Sequence, residues 1–315
     1  VTARSITVRL SGGLGNQLFQ YAAGRAAALR SNAVLHLDHA TFTTDPLRRR
    51  FALGRFPIVA ERRDLEGWRR RVVEVPGAWR IARRFGCAPR IGDTRFLFDR
   101  LRGYDPRIDD AARHRVLVGY WQDERFFDDA LDRLAVELDP SQRFSDATLR
   151  FGEGLRVGIA LGVHVRRADF AAAGSPHGTC SPEYYRDAVA AARAAAPIDR
   201  IVVFSDDPDW ARATLRFGGD FETVGRSPDR GDDEDLWLLG RCRHLVLSNS
   251  SWSWWAARLA EFDRTREPRG GPSVEQRSSG TLIVCPSRWY RAAAGPIPHP
   301  APSRWLRIED PNAQP

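Results

Sequence analysis

The sequence predicts an α/β protein of two domains with parallel sheets, and three observations predict it. Strand-like apolar runs alternate with helix-like stretches, the order that covers both faces of a parallel sheet. A glycine-rich turn follows the first strand signal and opens a helix, the start of a βαβ unit. A second, sharper series of strands and helices begins after residue 155. Between the two series, Pro140-Ser141-Gln142 and the pair Gly152 and Gly154 offer hinge chemistry, so the domains are read as 1–150 and 151–315.

In the first domain the pattern reads strand 6–10, glycine loop 11–15, helix 17–29 and strand 33–37. Residues 41–115 carry arginine clusters, scattered aromatics and isolated Pro and Gly, and are expected to fill with short helices and loops. A strand at 116–120 and a helix at 126–138 complete this half. In the second, Val157, Ile159, Leu161, Val163 and Val165 alternate with period two, the signature of a strand. Ser181 as N-cap and Pro182 at the first helical position open a helix that runs to about Ala195. A buried-looking strand at 201–204 and a helix from Pro208 follow. Next comes a helix at 232–242, with acids in the first turn where the helix dipole favours them. A strand at 245–247, a helix around 252–260 and a strand at 282–284 end the series. The proline-rich tail is expected to be extended and packed only through Trp305 and Leu306.

The 315 residues suffice for two sizeable cores, and a 43% hydrophobic share excludes wholesale disorder. No stretch reaches the ~18 uninterrupted apolar residues of a membrane span. The first residues lack a signal-peptide layout, so a cytoplasmic location is expected. The net charge is +8, and every basic residue of the Lys/Arg class is arginine. Compositional bias explains much of that, but arginine also offers planar, bidentate recognition of phosphate. Nucleic acid is disfavoured: the arginines are interspersed with 40 acids, and the short run Arg48-Arg49-Arg50 has no aromatic–basic motif beside it. Peripheral attraction to acidic lipid headgroups at the inner membrane face stays open. Cys87, Cys180, Cys242 and Cys285 match no zinc or redox spacing and read as ordinary thiols.

Four stretches carry chemistry. In Gly12-Gly13-Leu14-Gly15-Asn16-Gln17-Leu18, glycines let the backbone approach a ligand at a helix N-terminus that attracts anions. The run imitates a dinucleotide fingerprint, with Asp38 near the place of a ribose-binding acid. Leu18 argues against it, because that last position must be small. A structural reading makes Asn16 the N-cap of the helix. His164-Val165-Arg166-Arg167-Ala168-Asp169 lies at the carboxyl end of a strand, where open α/β sheets bind ligands. Strand alternation puts His164 and Arg166 on one face. Arg166 is read as a phosphate ligand, and Arg167 with Asp169 as an ion pair.

In Phe204-Ser205-Asp206-Asp207-Pro208, Asp207 is an ordinary N-cap and Asp206 the better ligand candidate. Asp207-Pro208-Asp209 resembles a metal-binding Asp-x-Asp, but two acids in a helix's first turn explain it more simply. In Ser248-Asn249-Ser250-Ser251-Trp252-Ser253-Trp254-Trp255, hydroxyls and N–H groups at a helix start suit a phosphate or ribose. Trp254 and Trp255 are expected in the core.

Taken together, these stretches resemble the α-1,2-fucosyltransferases, glycosyltransferase family 11. The likeness spans nearly the whole chain: GGLGNQLFQYA at 12–22, HVRRAD at 164–169, CSPEYYRDAV at 180–189, FSDDPDW at 204–210, EDLWLL at 234–239, SNSSWSWWAA at 248–257 and IVCPSRWY at 283–290. Weaker echoes are Gly119-Tyr120-Trp121-Gln122 and the segment around Trp305, while Ala168 stands where the family usually has Gly. Residues 41–115 carry little of it.

The resemblance implies a GT-B architecture, two facing Rossmann-like domains with a cleft between them. It implies transfer of fucose from GDP-β-L-fucose, with inversion and without a metal or other cofactor, to a galactose-terminated glycan. Arg166 would then bind the diphosphate, with His164 and Asp206 near the guanosine and Ser250 and Ser251 near the phosphates. Gly13, Gly15 and Gln17 join the donor-binding set, and Asn16 lies near the reacting sugar. Asp169 is placed with Arg166 and Asn16 among the catalytic residues as a candidate base, and Asp38 is the alternative from the first domain. The rival classes are an NAD-dependent oxidoreductase, resting on the glycine loop and Asp38, and a non-catalytic nucleotide-sugar-binding module.

Overall fold

Ile6, Thr7 and Val8 suit a pleated, buried surface and form the middle of β1 (Ser5–Arg9). In the computed structural model, which describes residues 3–75, 77–167, 178–266, 280–291 and 297–312, the chain divides into two units, Val1–Leu138 and Asp139–Pro315. The division falls earlier than the expected 150/151, because α5 (Asp146–Arg156) is built into the second unit's core. Gly152 is no hinge: a Cβ there would lie 2.2 Å from the Trp237 ring. Thr148 donates to Glu234 Oε2 at 2.7 Å, and Phe144 stacks edge-on against Trp237.

In the first unit, α1 (Leu14–Ser31) crosses from β1 to the parallel β2 (Val34–Asp38). Short strands β3 (Glu61–Arg62) and β4 (Arg90–Ile91) flank the sheet, while β5 (Thr94–Phe98) and β6 (His114–Val118) complete it in the order β3-β2-β1-β6-β5-β4. Every pairing is parallel except β4 with β5. Residues 41–115 thus supply three strands and the helices α2 (Gly67–Glu74) and α3 (Ala78–Phe85), where loops and short helices alone were expected. The expected helix at 126–138 is two 3-10 turns followed by α4 (Leu131–Glu137).

Among the described residues every strand pairing of the second unit is parallel. Its strands are β7 (Ala160–Val165), β8 (Arg200–Ser205), β9 (Glu222–Gly225), β10 (His244–Val246), β11 (Ile283–Pro286) and β12 (Leu306–Ile308). Their order, β12-β11-β10-β7-β8-β9, is that of a doubly wound nucleotide-binding sheet, reversing direction between β7 and β10. Helices α6 (Pro182–Ala195), α7 (Pro208–Thr214), α8 (Asp232–Arg241) and α9 (Ser251–Arg266) connect them, with Ser181 capping α6 as expected. Two expectations fail. β7 begins at Ala160, not Val157, which is exposed, and all six of its residues are buried because both faces are covered. The tail is not held by Leu306, which is exposed. It adds β12, buries Trp305 against Trp254, and is tied to Glu261 by Arg304 and the Trp305 indole.

Both units are therefore Rossmann-like, the two components a GT-B architecture requires. No described helix is long and apolar enough to cross a membrane.

Candidate active site

Open α/β sheets bind ligands outside the carboxyl ends of their strands, where the strand order reverses. In the second unit that place lies at the ends of β7 and β10. Register aligns Val165 with Ser205 and Ser205 with Gly225, so the next residues, Arg166, Asp206 and Arg226, leave the sheet edge in one row. Arg166 Nη1 lies 3.2 Å from Asp206 Oδ2, and the backbone N–H of Arg167 donates to Asp206 Oδ1 at 2.9 Å. The Asp206 side chain is almost wholly buried beneath this pair. It holds the Arg166 side chain and the Arg167 backbone N–H from below the edge. Arg166 is the first residue past the strand end, and its charge acts on His164.

Arg167 lies 3.7 Å from the Asp207 carboxylate, and its guanidinium sits 3.9 Å from the Trp210 ring centroid. The partner expected for it, Asp169, falls outside the described residues together with Ala168. Asp207 caps α7 by accepting from Trp210 N at 3.1 Å, as expected. Asp209 pairs with Arg212 at 2.6 Å, so the apparent Asp-x-Asp is made of a cap and a helix-surface ion pair.

His164 is buried near the end of β7, with its Nδ1 2.8 Å from the Ser248 hydroxyl and its ring 4.7 Å from that of Trp252. Burial, reinforced by the positive charges of Arg166 and Arg226, pushes its pKa down to about 3. It is therefore a neutral imidazole that can both donate and accept. Beyond Ser248 the chain turns into α9. Ser250 Oγ accepts from Trp252 N at 3.3 Å, and Ser253 Oγ donates to the Ser250 carbonyl at 3.1 Å. Ser251 is the first residue of α9, so both serines stand at the positive end of a helix dipole. Trp254 and Trp255 are fully buried, as expected.

Asn249 was not singled out from the sequence. It is buried and donates to the carbonyls of Gly178 and Trp289, while the Cys180 thiol donates to its Oδ1 at 3.6 Å. Burial pushes the thiols of Cys180 and Cys285 up to about 12, which suits their reading as inert cysteines.

In the first unit the glycine loop sits at the equivalent reversal, between β1 and β6. Gly12 has φ +79°, and a Cβ there would come 2.5 Å from Asn16 Nδ2. The loop therefore needs glycine both for its turn and for the approach of Asn16. Gly13, not Asn16, occupies the cap position of α1. Asn16 lies in the first turn, where its Oδ1 accepts from Gln122 Nε2 at 2.8 Å. Gln17 is fully buried and its amide is committed to the fold. It donates to the carbonyls of Gly12 and Arg50 and accepts from Ala52 N, so it shapes the loop instead of reaching a ligand. Gly13 shows no atom within 4 Å of where a Cβ would stand, and Gly15 is buried in the first turn of α1.

Two residues to which sequence reasoning gave no role, Gln20 and Asp99, hold the facing loop. Gln20 Nε2 donates to the Gly119 carbonyl at 2.9 Å, and Asp99 accepts from the N–H groups of Leu101, Tyr120 and Trp121. Trp121 is held at φ +56°, a strained setting for a bulky residue, and it leads into Gln122. Asp38 is fully buried, accepts from Ala40 N, and has Arg9 Nη1 at 3.7 Å. Burial raises its pKa despite that N–H and Arg9. A carboxyl with no exposed surface can reach neither a ribose nor an acceptor hydroxyl, which removes it from both expected roles. Next to it, His39 Nδ1 lies 2.6 Å from Asp64 Oδ1.

Residues 100–266 match the model of Glycosyl transferase family 11. An alpha-1,2-colitosyltransferase of Escherichia coli is 27% identical over 300 residues, covering 91% of this chain and 98% of that protein. The galactoside alpha-(1,2)-fucosyltransferase 1 of Saimiri sciureus is 30% identical over 120 residues, 36% of this chain and 33% of its own length. Among solved structures, fucosyltransferase NodZ from Bradyrhizobium is similar with a TM-score of 0.45 at 17% identity, over 81% of this chain and 92% of that chain.

Proposed function

Since this chain belongs to glycosyltransferase family 11, we propose that it moves L-fucose from GDP-β-L-fucose, with inversion, to the 2-hydroxyl of a terminal β-galactose in a glycan. The observation that carries the donor assignment is the convergence of His164, Arg166 and the α9 N-terminus on one strand-order reversal. A nucleoside diphosphate leaving group gathers negative charge on its β-phosphate as the fucosyl–oxygen bond breaks. Arg166, held by Asp206, supplies a fixed cation. The start of α9 at Ser251 adds the positive end of a helix dipole that needs no reorganisation. Neutral His164 adds no charge and serves the guanosine by hydrogen bonding.

In this reading Asn16 acts near the reacting sugar, with its Oδ1 engaged by Gln122 and its amide N–H groups presented as donors. With Asp38 buried, Asp169 is the carboxylate we assign to removal of the acceptor proton. A late proton transfer would reduce what that base must do. The reaction needs no metal or other cofactor, so chelator should leave turnover unchanged.

A second donor is favoured by the relative of known colitosyl specificity. Colitose is L-fucose without its 3-hydroxyl. A site that hydrogen-bonds that hydroxyl rejects the deoxy sugar by about 10⁴-fold, whereas a site that merely encloses the sugar discriminates weakly. Incubating the protein with GDP-fucose or GDP-colitose and a β-galactosyl acceptor, and measuring released GDP and product linkage, tests both. Release from GDP-fucose with a new α-1,2 linkage is expected. Turnover of GDP-colitose alone would replace the donor, and GDP release from neither would defeat the reading. Family membership sets aside the oxidoreductase reading of the glycine loop. We place the reaction in the cytoplasm.

A further inference from the structure

The α2–α3 pair has one apolar face that the core uses and another that it leaves outside. Val72, Val73 and Ala82 pack inward with Leu65, Phe96, Phe98 and Val116. On the outer side Val75 is 53% exposed, Ile81 59% and Phe85 74%, while Trp68, 42% exposed, packs one edge on the core Phe96 and leaves the rest of its ring outside. Scattered exposed apolar residues are normal on any protein. Here three stand on two adjacent helices and Val75 caps the end of α2, all among arginines: residues 66–85 contain six arginines and two glutamates. On α3, Ile81 and Phe85 are spaced i, i+4, and so are the exposed Arg80 and Arg84 beside them, making an apolar stripe with a cationic border. Guanidinium groups also lie against the aromatics, Arg69 5.1 Å from Trp68 and Arg84 6.0 Å from Phe85.

We propose that this α2–α3 face docks on the surface of an anionic lipid bilayer, with Trp68, Val75, Ile81 and Phe85 entering the headgroup boundary and the arginines meeting acidic headgroups. Charge complementarity selects an anionic occupant. The aliphatic members then choose among anions: a nucleic-acid backbone would satisfy the arginines but leave Val75 and Ile81 in water. A bilayer accepts both kinds of group at one depth. Such docking needs no spanning helix, and it is independent of the donor and acceptor.

Co-sedimentation of the full chain with phosphatidylcholine vesicles, with and without one-third phosphatidylglycerol, tests this. The exposed Cys87, just beyond α3, can carry an environment-sensitive fluorophore as a second readout. Binding is expected only with phosphatidylglycerol, falling with added salt. Each arginine near the surface contributes about fivefold, so Arg80→Gln with Arg84→Gln should weaken binding by roughly 25-fold. Ile81→Asp with Phe85→Asp should abolish it and the fluorophore's blue shift. Circular dichroism and the melting temperature should be unchanged, since all four side chains are exposed. Binding that ignores phosphatidylglycerol, no binding to either vesicle, or binding that survives the aspartate pair would overturn the proposal. So would duplex DNA binding the face with the same loss in the arginine variant and none in the aspartate variant.

Discussion

The side-chain amide of Gln122 donates a 2.8 Å hydrogen bond to Oδ1 of Asn16, joining the loop after β6 to the first turn of α1. Each partner is held from behind. Gly12 gives Asn16 room, while Asp99 and Gln20 fix the strained turn that ends in Gln122. If Asn16 works near the reacting sugar, Gln122 sets which way its amide points. Gln122→Ala should then lower kcat by roughly tenfold, the value of one hydrogen bond, and Asn16→Ala by on the order of 100-fold. The double variant should be no worse than Asn16→Ala alone, since the two act as a unit. Additive losses in a kinetic double-mutant cycle would show that they act separately.

Arg166 and Asp206 should differ in the kind of damage they cause. Arg166→Ala removes a fixed cation from the leaving group and should cost on the order of 100- to 1,000-fold in kcat. Arg166→Lys should recover little, because the planar fork is lost. Asp206→Ala removes the carboxylate that holds the Arg166 side chain and the Arg167 backbone N–H, so a loss of about tenfold with a lower melting temperature is expected. Near-normal turnover by purified Arg166→Ala would remove it from the mechanism.

Buried His164 ties stability to pH. Its folded pKa is about 3, against an ordinary 6.5, so between those values the unfolded chain binds a proton that the folded chain does not. Stability should therefore decline as pH falls from about 6.5 toward 3, by at most ~1.4 kcal/mol per pH unit from this group. Urea unfolding at pH 7 and pH 5 measures the slope. His164→Gln should flatten it, and an unchanged slope would mean that another group is responsible.

Gly119 is a packing constraint on the same loop as Gln122. Its φ is +141°, and a Cβ there would come 2.1 Å from that of Asp99. Gly119→Ala should destabilise the protein by about 1–3 kcal/mol in thermal unfolding and lower activity through Gln122. Wild-type stability in that variant would show that the Asp99 clasp can move freely.

The second unit was the more legible in sequence, for physical reasons. Ser181-Pro182 and Asp207-Pro208 cap their helices locally, so residue type alone announces them. The conspicuous runs around Arg166 and Ser250 do meet at one end of one sheet. Long-range partners were hidden. Nothing local to Asp206 says that it lies beneath two arginines, nor does anything near Gln17 say that its amide closes onto Arg50 and Ala52. β5 was missed because its five residues lie between arginine-rich segments, and its burial depends on pairing with the distant β6. Val157 misled for the opposite reason: alternation continued past the strand into an exposed turn.

Calorimetric titration of GDP into the wild type and into Arg166→Ala tests the central claim most directly, that the β7–β10 edge receives a guanosine diphosphate. The account predicts one site per chain in the wild type, with affinity weakened at least tenfold in the variant. Equal affinity in the two proteins, or no GDP binding by the wild type, would contradict it.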